Sequence, residues 1–124
     1  MTSEVLVFSR DPLLLETRRL ILEAFFQARG VGSVEDAQAL LAMRRFDLII
    51  LCSTLSEQDC DRVLELVEYQ KPRPQILILS PPGCNPPRCA ADHMLMTESS
   101  PHQLLKRSAE ILGVDLKASG LVEV

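Results

Sequence analysis

The chain has 124 residues, enough for one domain around a single core. Its hydrophobic fraction of 47% and charged fraction of 24% exclude a disordered polyampholyte, and a net charge of −4 gives no electrostatic ground for binding nucleic acid or an anionic membrane. Aromatics make up only 4%, so the core has to come from Leu, Ile, Val, Ala and Met, which favours helices layered on a sheet.

Met1-Thr2-Ser3-Glu4 leads straight into Val5-Leu6-Val7-Phe8, a short apolar run that reads as a first strand. The start lacks the basic stretch and small-residue cleavage site of an export signal, so a cytoplasmic location is expected. Asp11 to about Ala24 reads as a helix, with Asp11 capping before Pro12 and Leu14, Thr17, Ile21 and Ala24 on one face. Phe25 to Val31 makes a weak strand, because Arg29 and Gly30 interrupt it; an edge position would tolerate that.

Ser33 and Asp36 have capping-box spacing, followed by Val34, Ala37 and Leu41 at helical intervals. Leu48-Ile49-Ile50-Leu51 is a continuous apolar run, the pattern of a strand covered on both faces. Ser56 and Asp59 repeat the capping device ahead of Cys60, Val63, Leu64 and Val67. Ile76-Leu77-Ile78-Leu79 is a second doubly covered strand, and Met94-Leu95-Met96 a shorter one. Ser100 caps a last helix carrying Leu104, Leu105, Ala109 and Leu112, which Gly113 stops. The pairs Arg18-Arg19 and Arg44-Arg45 fall inside helical patterns and read as solvated faces.

Strands alternating with helices at this spacing imply an α/β domain with a doubly wound parallel sheet. Five strands in a chain of this size point to the flavodoxin-like order 2-1-3-4-5. The domain is expected over 1–113, with 114–124 a C-terminal tail. The longest apolar runs span about five residues against the roughly 20 needed to cross a bilayer, so no membrane segment is expected.

In such folds, function sits at the carboxyl ends of the strands. There the sequence resembles the receiver domain of bacterial response regulators over nearly its whole length. Val7-Phe8-Ser9-Arg10-Asp11-Pro12-Leu13-Leu14 is similar to the family's opening, a strand running into an acidic cluster and then Pro-Leu-Leu. Phe46-Asp47-Leu48-Ile49-Ile50-Leu51-Cys52 resembles the strand that ends in the phosphoacceptor aspartate. Ile78-Leu79-Ser80 resembles the strand ending in Thr or Ser, and Ala91-Asp92-His93-Met94-Leu95-Met96-Thr97 the segment ending in Lys-Pro.

The resemblance implies phosphorelay chemistry that needs an acidic pair to hold Mg²⁺, an acceptor aspartate and a lysine. The acidic positions here read Ser9 and Arg10, with Asp11 matching a third, adjacent one. The acceptor position reads Cys52, the lysine position Thr97 and the following proline Glu98; only Ser80 keeps the family's residue type. Every charged participant is gone, and Arg10 would bring a positive charge to the metal's place. The resemblance therefore implies a pseudo-receiver: a two-component signalling module that works by binding other signalling proteins, without aspartate phosphorylation, metal or cofactor, and without enzymatic activity. A homodimer through the last strand and helix is a further expectation.

Pro81-Pro82-Gly83-Cys84-Asn85-Pro86-Pro87-Arg88-Cys89-Ala90 cannot make a helix interior, so the family's fourth helix is expected to be shortened or missing. Cys52, Cys84 and Cys89 should lie near the carboxyl edge, with Cys60 close by, and a redox switch on the same fold is the alternative function. Their spacings lack the tight C-x2-C hooks of structural zinc. His93 and His102 are expected as surface or capping residues. Asp11 reads as a cap rather than a metal ligand.

Overall fold

The computed structural model describes residues 3–52, 55–68, 70, 73–80, 93–96 and 101–113. The elements run β1 (Glu4–Phe8), α1 (Pro12–Glu23), β2 (Gln27–Val31), α2 (Val34–Met43), β3 (Leu48–Leu51), α3 (Glu57–Val67), β4 (Gln75–Ser80), β5 (His93–Met96) and α4 (Pro101–Leu112). The strands form one sheet in the order β2-β1-β3-β4-β5, and every pairing is parallel. This is the flavodoxin-like arrangement that the element order implied, with β2 at an edge.

Helices cover both faces. On one, Leu22 of α1 and Leu104, Leu105 and Ala109 of α4 pack on Val5, Val7, Leu48, Ile50, Leu77 and Leu79. On the other, Ala37 and Leu41 of α2 and Cys60, Val63 and Val67 of α3 pack on Leu6, Phe8, Ile49, Leu51, Ile76 and Ile78. The central strands are apolar at successive positions because neither face of the sheet meets water.

The local signals placed the helices well. Asp11 Oδ1 accepts from the N–H groups of Leu13 (3.0 Å) and Leu14 (3.4 Å), so this carboxylate is the N-cap of α1. Ser33 Oγ accepts from Asp36 N–H at the start of α2. At α3 the reciprocal box is complete: Asp59 N–H donates to Ser56 Oγ at 3.1 Å, and Ser56 N–H donates to an Asp59 carboxylate oxygen at 3.2 Å. Gly113 ends α4 with φ of 69°, a left-handed conformation natural to glycine. Ser56→Ala should lower stability by about 1 kcal/mol, read as a shifted urea midpoint with unchanged slope.

Two expectations about side-chain faces are corrected. The buried face of α1 is not Leu14, Thr17, Ile21 and Ala24: Thr17 and Ala24 are exposed, while Leu22 is buried and Leu15 and Ile21 pack partly against the core. Leu15 lies against β2, where a Cβ on Gly30 would come within 2.8 Å of Leu15 Cδ1, so the glycine that weakens the strand lets the helix approach it. Arg18, three residues from Leu15 and four from Leu22, shares this inner face, and its Nη1 is buried without an acceptor. Arg18 is therefore half-buried with one guanidinium nitrogen enclosed, not a fully solvated residue. Arg19 is half-buried too, but bound to Glu16 and Glu23 one helical turn either side.

The Pro-rich stretch 81–90 lies outside the described residues, and with it the expectation about a fourth family helix; four helices are found among those described. The tail 114–124 also lies outside them. Among the described residues, no helix is long and apolar enough to cross a membrane.

Candidate functional site

Parallel registry brings the carboxyl ends of the strands to one edge. Phe8 of β1 is level with Val31 of β2 and Leu51 of β3. The next residues, Ser9, Arg10 and Asp11 after β1, Gly32 and Ser33 after β2, and Cys52 after β3, therefore converge above the sheet. Backbone bonds fix the convergence: Ser9 N–H donates to Val31 O at 3.1 Å and Cys52 N–H to Phe8 O at 3.0 Å.

Ser9 is buried and turned onto its own loop, its Oγ donating to Asp11 O (3.3 Å) and accepting from Asp11 N–H (3.2 Å). Asp11 spends its carboxylate on the start of α1, as described above. Neither offers an oxygen cluster for a divalent ion.

Arg10 crosses the top of the sheet. Its Nε and Nη2 donate to the two carboxylate oxygens of Asp59 at 3.2 and 2.7 Å, and Nη1 donates to Gly32 O at 3.4 Å. The guanidinium carbon stands 5.7 Å from the centre of the Phe8 ring. One side chain thus ties the β1–α1 turn to the β2–α2 turn and to the first turn of α3. Asp59 is well prepared for the contact, because the Ser56 box already holds its carboxylate. The Arg10 guanidinium, then the Ser56 contacts, keep the Asp59 carboxyl below the usual carboxylate range. Its folded pKa being the lower one, the stability it contributes is present above its unfolded value and fades as pH falls through the folded one. Beside the pair lies an open cleft of about 400 Å³ lined by Arg10, Val34, Glu35, Gln58, Asp59, Asp61 and Arg62.

Cys52 follows β3 with 3% of its surface exposed. Burial pushes its thiol up, opposed in part by the Arg18 guanidinium and the Ser9 hydroxyl, both within hydrogen-bonding reach of the sulfur. A reactive thiolate needs the opposite balance, an accessible sulfur with a lowered pKa. The second described cysteine does not lie beside it, as the sequence suggested. Cys52 packs with the α1/α4 face and Cys60 with the α2/α3 face, so the sheet separates them. The alternation of side chains along β3 and the helix phase of α3 cause this, and neither shows in residue spacing alone.

Ser80 ends β4, paired with Met96 of β5. Thr97, Glu98, Cys84 and Cys89 lie outside the described residues. His93 Nε2 and Gln75 Oε1 are 3.1 Å apart at the opposite end of this strand pair, and His102 is exposed in the first turn of α4. Among the described residues, no three His, Cys, Asp or Glu side chains group to hold a metal ion. Sequence reasoning missed both Arg18 and Asp59 as parts of this edge. Asp59 was visible only as a cap, and its pairing with Arg10 spans 49 positions.

No protein-family model matches the sequence. No curated protein matches it either. Solved structures do match. A response regulator receiver protein from Burkholderia phymatum superposes with a TM-score of 0.77 at 15% identity, covering 91% of this chain and 97% of the other. A response regulator receiver domain (CheY-like) from Methylobacillus flagellatus gives 0.74 at 20% identity, covering 90% and 99%. The CheY-like receiver domain protein from Methanospirillum hungatei JF-1 gives 0.73 at 17% identity, covering 91% and 95%. The chain therefore has the receiver-domain fold over nine-tenths of its length.

The fold family implies a magnesium ion at this edge, and the residues present do not fit one. Hard-cation sites need several oxygen ligands in octahedral array. Of the side chains matching the family's ligand positions, Ser9 bonds its own turn, Arg10 is a cation, Asp11 caps a helix and Cys52 is a buried thiol.

Proposed function

We propose that this chain is a receiver-type signalling module whose output is the binding of other signalling proteins, with no phosphoryl group passing through it and no enzymatic activity of its own. The observation that carries the reading is a pair of guanidiniums at this edge, one beside the acceptor position and one in the turn before it. Residue 52 is a buried thiol contacted by Arg18, and Arg10 lies across the turn where metal ligands would stand. Phosphoryl transfer to a carboxylate depends on a cation to offset the repulsion between two anions, and on an acceptor oxygen. This edge has a fixed cation already neutralised by Asp59, and sulfur in place of the acceptor. The receiver fold with that chemistry removed still presents its surfaces to partners. The strand β5 and helix α4 are the region through which two copies would pair in a homodimer, and Met94 of β5 is 45% exposed there.

The test is incubation of the full chain with acetyl phosphate and Mg²⁺, followed by intact mass measurement. The unmodified mass alone is expected. A phosphoryl adduct removed by hydroxylamine would show an acyl phosphate and overturn the reading.

A further inference from the structure

We infer that Arg10 is a built-in cation: its guanidinium does permanently, from within the chain, the tethering of loops at this edge that would otherwise fall to a bound ion. The inference rests on the receiver reading only for the location. Its substance is the geometry of Arg10, Asp59 and Gly32.

A single planar group with several donors joins its own turn to two other segments. Two of its N–H groups meet both oxygens of one carboxylate, the bidentate geometry that makes guanidinium–carboxylate pairs strong and directional. A third meets the carbonyl of Gly32 in the β2–α2 turn. The ring of Phe8 lies beneath, and that residue is fully buried, so the guanidinium is supported from below by a fixed aromatic face. Asp59 is only 13% exposed, against 45% for Arg10, so the anion of the pair is partly shielded from water and held by Ser56 as well.

The surroundings are acidic once Arg10 is set aside. Glu35, Asp59 and Asp61 line the cleft beside it, with Arg62 the other cationic residue of the lining. Glu35 acts on Arg10 through its charge, after Asp59. A carboxylate at position 10 would therefore face Asp59 and Glu35 with Arg62 the one cationic residue left in the cleft lining, and a divalent ion from solution would then be drawn to the same place. The arginine makes that ion unnecessary. The consequence is regulatory: the loops at the carboxyl edge are held in one arrangement that does not depend on divalent-cation concentration.

Two variants of the full chain test this. Arg10→Gln keeps a polar side chain and removes the charge; amide hydrogen exchange at residues 32–35 and 56–61 should rise several-fold, while Val5–Val7 and Leu48–Ile50 stay protected. Arg10→Asp should unfold at lower temperature than wild type in NaCl. Mg²⁺ or Ca²⁺ at matched ionic strength should recover a few degrees, because an ion that binds only the folded state stabilises it by mass action. Wild type should show no such response. Unchanged exchange in Arg10→Gln, or an Arg10→Asp protein no more cation-sensitive than wild type, would overturn the inference. Either result would leave the phosphodonor experiment standing, since that measurement reads whether the chain takes up a phosphoryl group and not whether Arg10 tethers the loops.

Discussion

Ile50→Ala is expected to destabilise the domain by about 2–5 kcal/mol, measured by urea unfolding. Ile50 is fully buried in the central strand β3, among Val5, Val7, Leu77 and Cys52, under α1 and α4. Deleting most of its side chain removes apolar contact and leaves a space that close-packed neighbours on a rigid strand fill only in part. Since domains of this size are stable by about 5–15 kcal/mol, the variant would lose a large share of the total. Leu13→Ala makes the contrast: Leu13 is 79% exposed, and its loss should stay within about 0.5 kcal/mol. Comparable losses for the two would mean that α1 is rotated about its axis from the position described.

That contrast also marks where the sequence could be read. In β1, β3 and β4 nearly every side chain is apolar, a pattern with few solutions other than a strand covered on both faces, so the parallel sheet was legible. Its capped helices were legible too, because Asp11, Ser33 and Ser56 each satisfy orphan N–H groups by a local rule. The rotation of α1 was not. Leu13, Leu14, Leu15, Leu20, Ile21 and Leu22 put apolar residues on almost every side of that helix, so no single stripe stands out. The stripe chosen by tertiary packing runs through Leu15 and Leu22 and includes Arg18, whose guanidinium acts on Cys52 at the carboxyl edge.

The edge itself was legible in part for the same reason. Which residues arrive there follows from strand ends, and Ser9, Arg10, Asp11 and Cys52 were all placed by that rule. What they touch does not follow. Arg10 meets Asp59 across 49 positions, and Arg18 meets Cys52 across a helix-to-strand contact. Only the assembled fold brings such pairs together. Cys52 and Cys60 err in the other direction: eight positions apart in the chain, they are divided by the sheet.

The contact between Arg18 and Cys52 leads to the second large effect. A buried guanidinium N–H without an acceptor carries a desolvation cost of about 1–3 kcal/mol, so Arg18→Met, which keeps the stem and removes that group, should be neutral or mildly stabilising. Cys52→Asp should reverse the sign. The new carboxylate would sit beside Arg18 and supply the missing acceptor, making a buried ion pair that roughly offsets its own desolvation. Arg18→Met in the Cys52→Asp background would then strand a buried charge, at a cost of about 3–5 kcal/mol. The four proteins form a double-mutant cycle, read by urea unfolding, whose coupling term isolates the pair. Additive effects would mean that Arg18 does not face residue 52. Strong coupling would mean that a positive charge from α1 stands at the acceptor position, so that an aspartate restored there meets an internal partner as well as any phosphodonor.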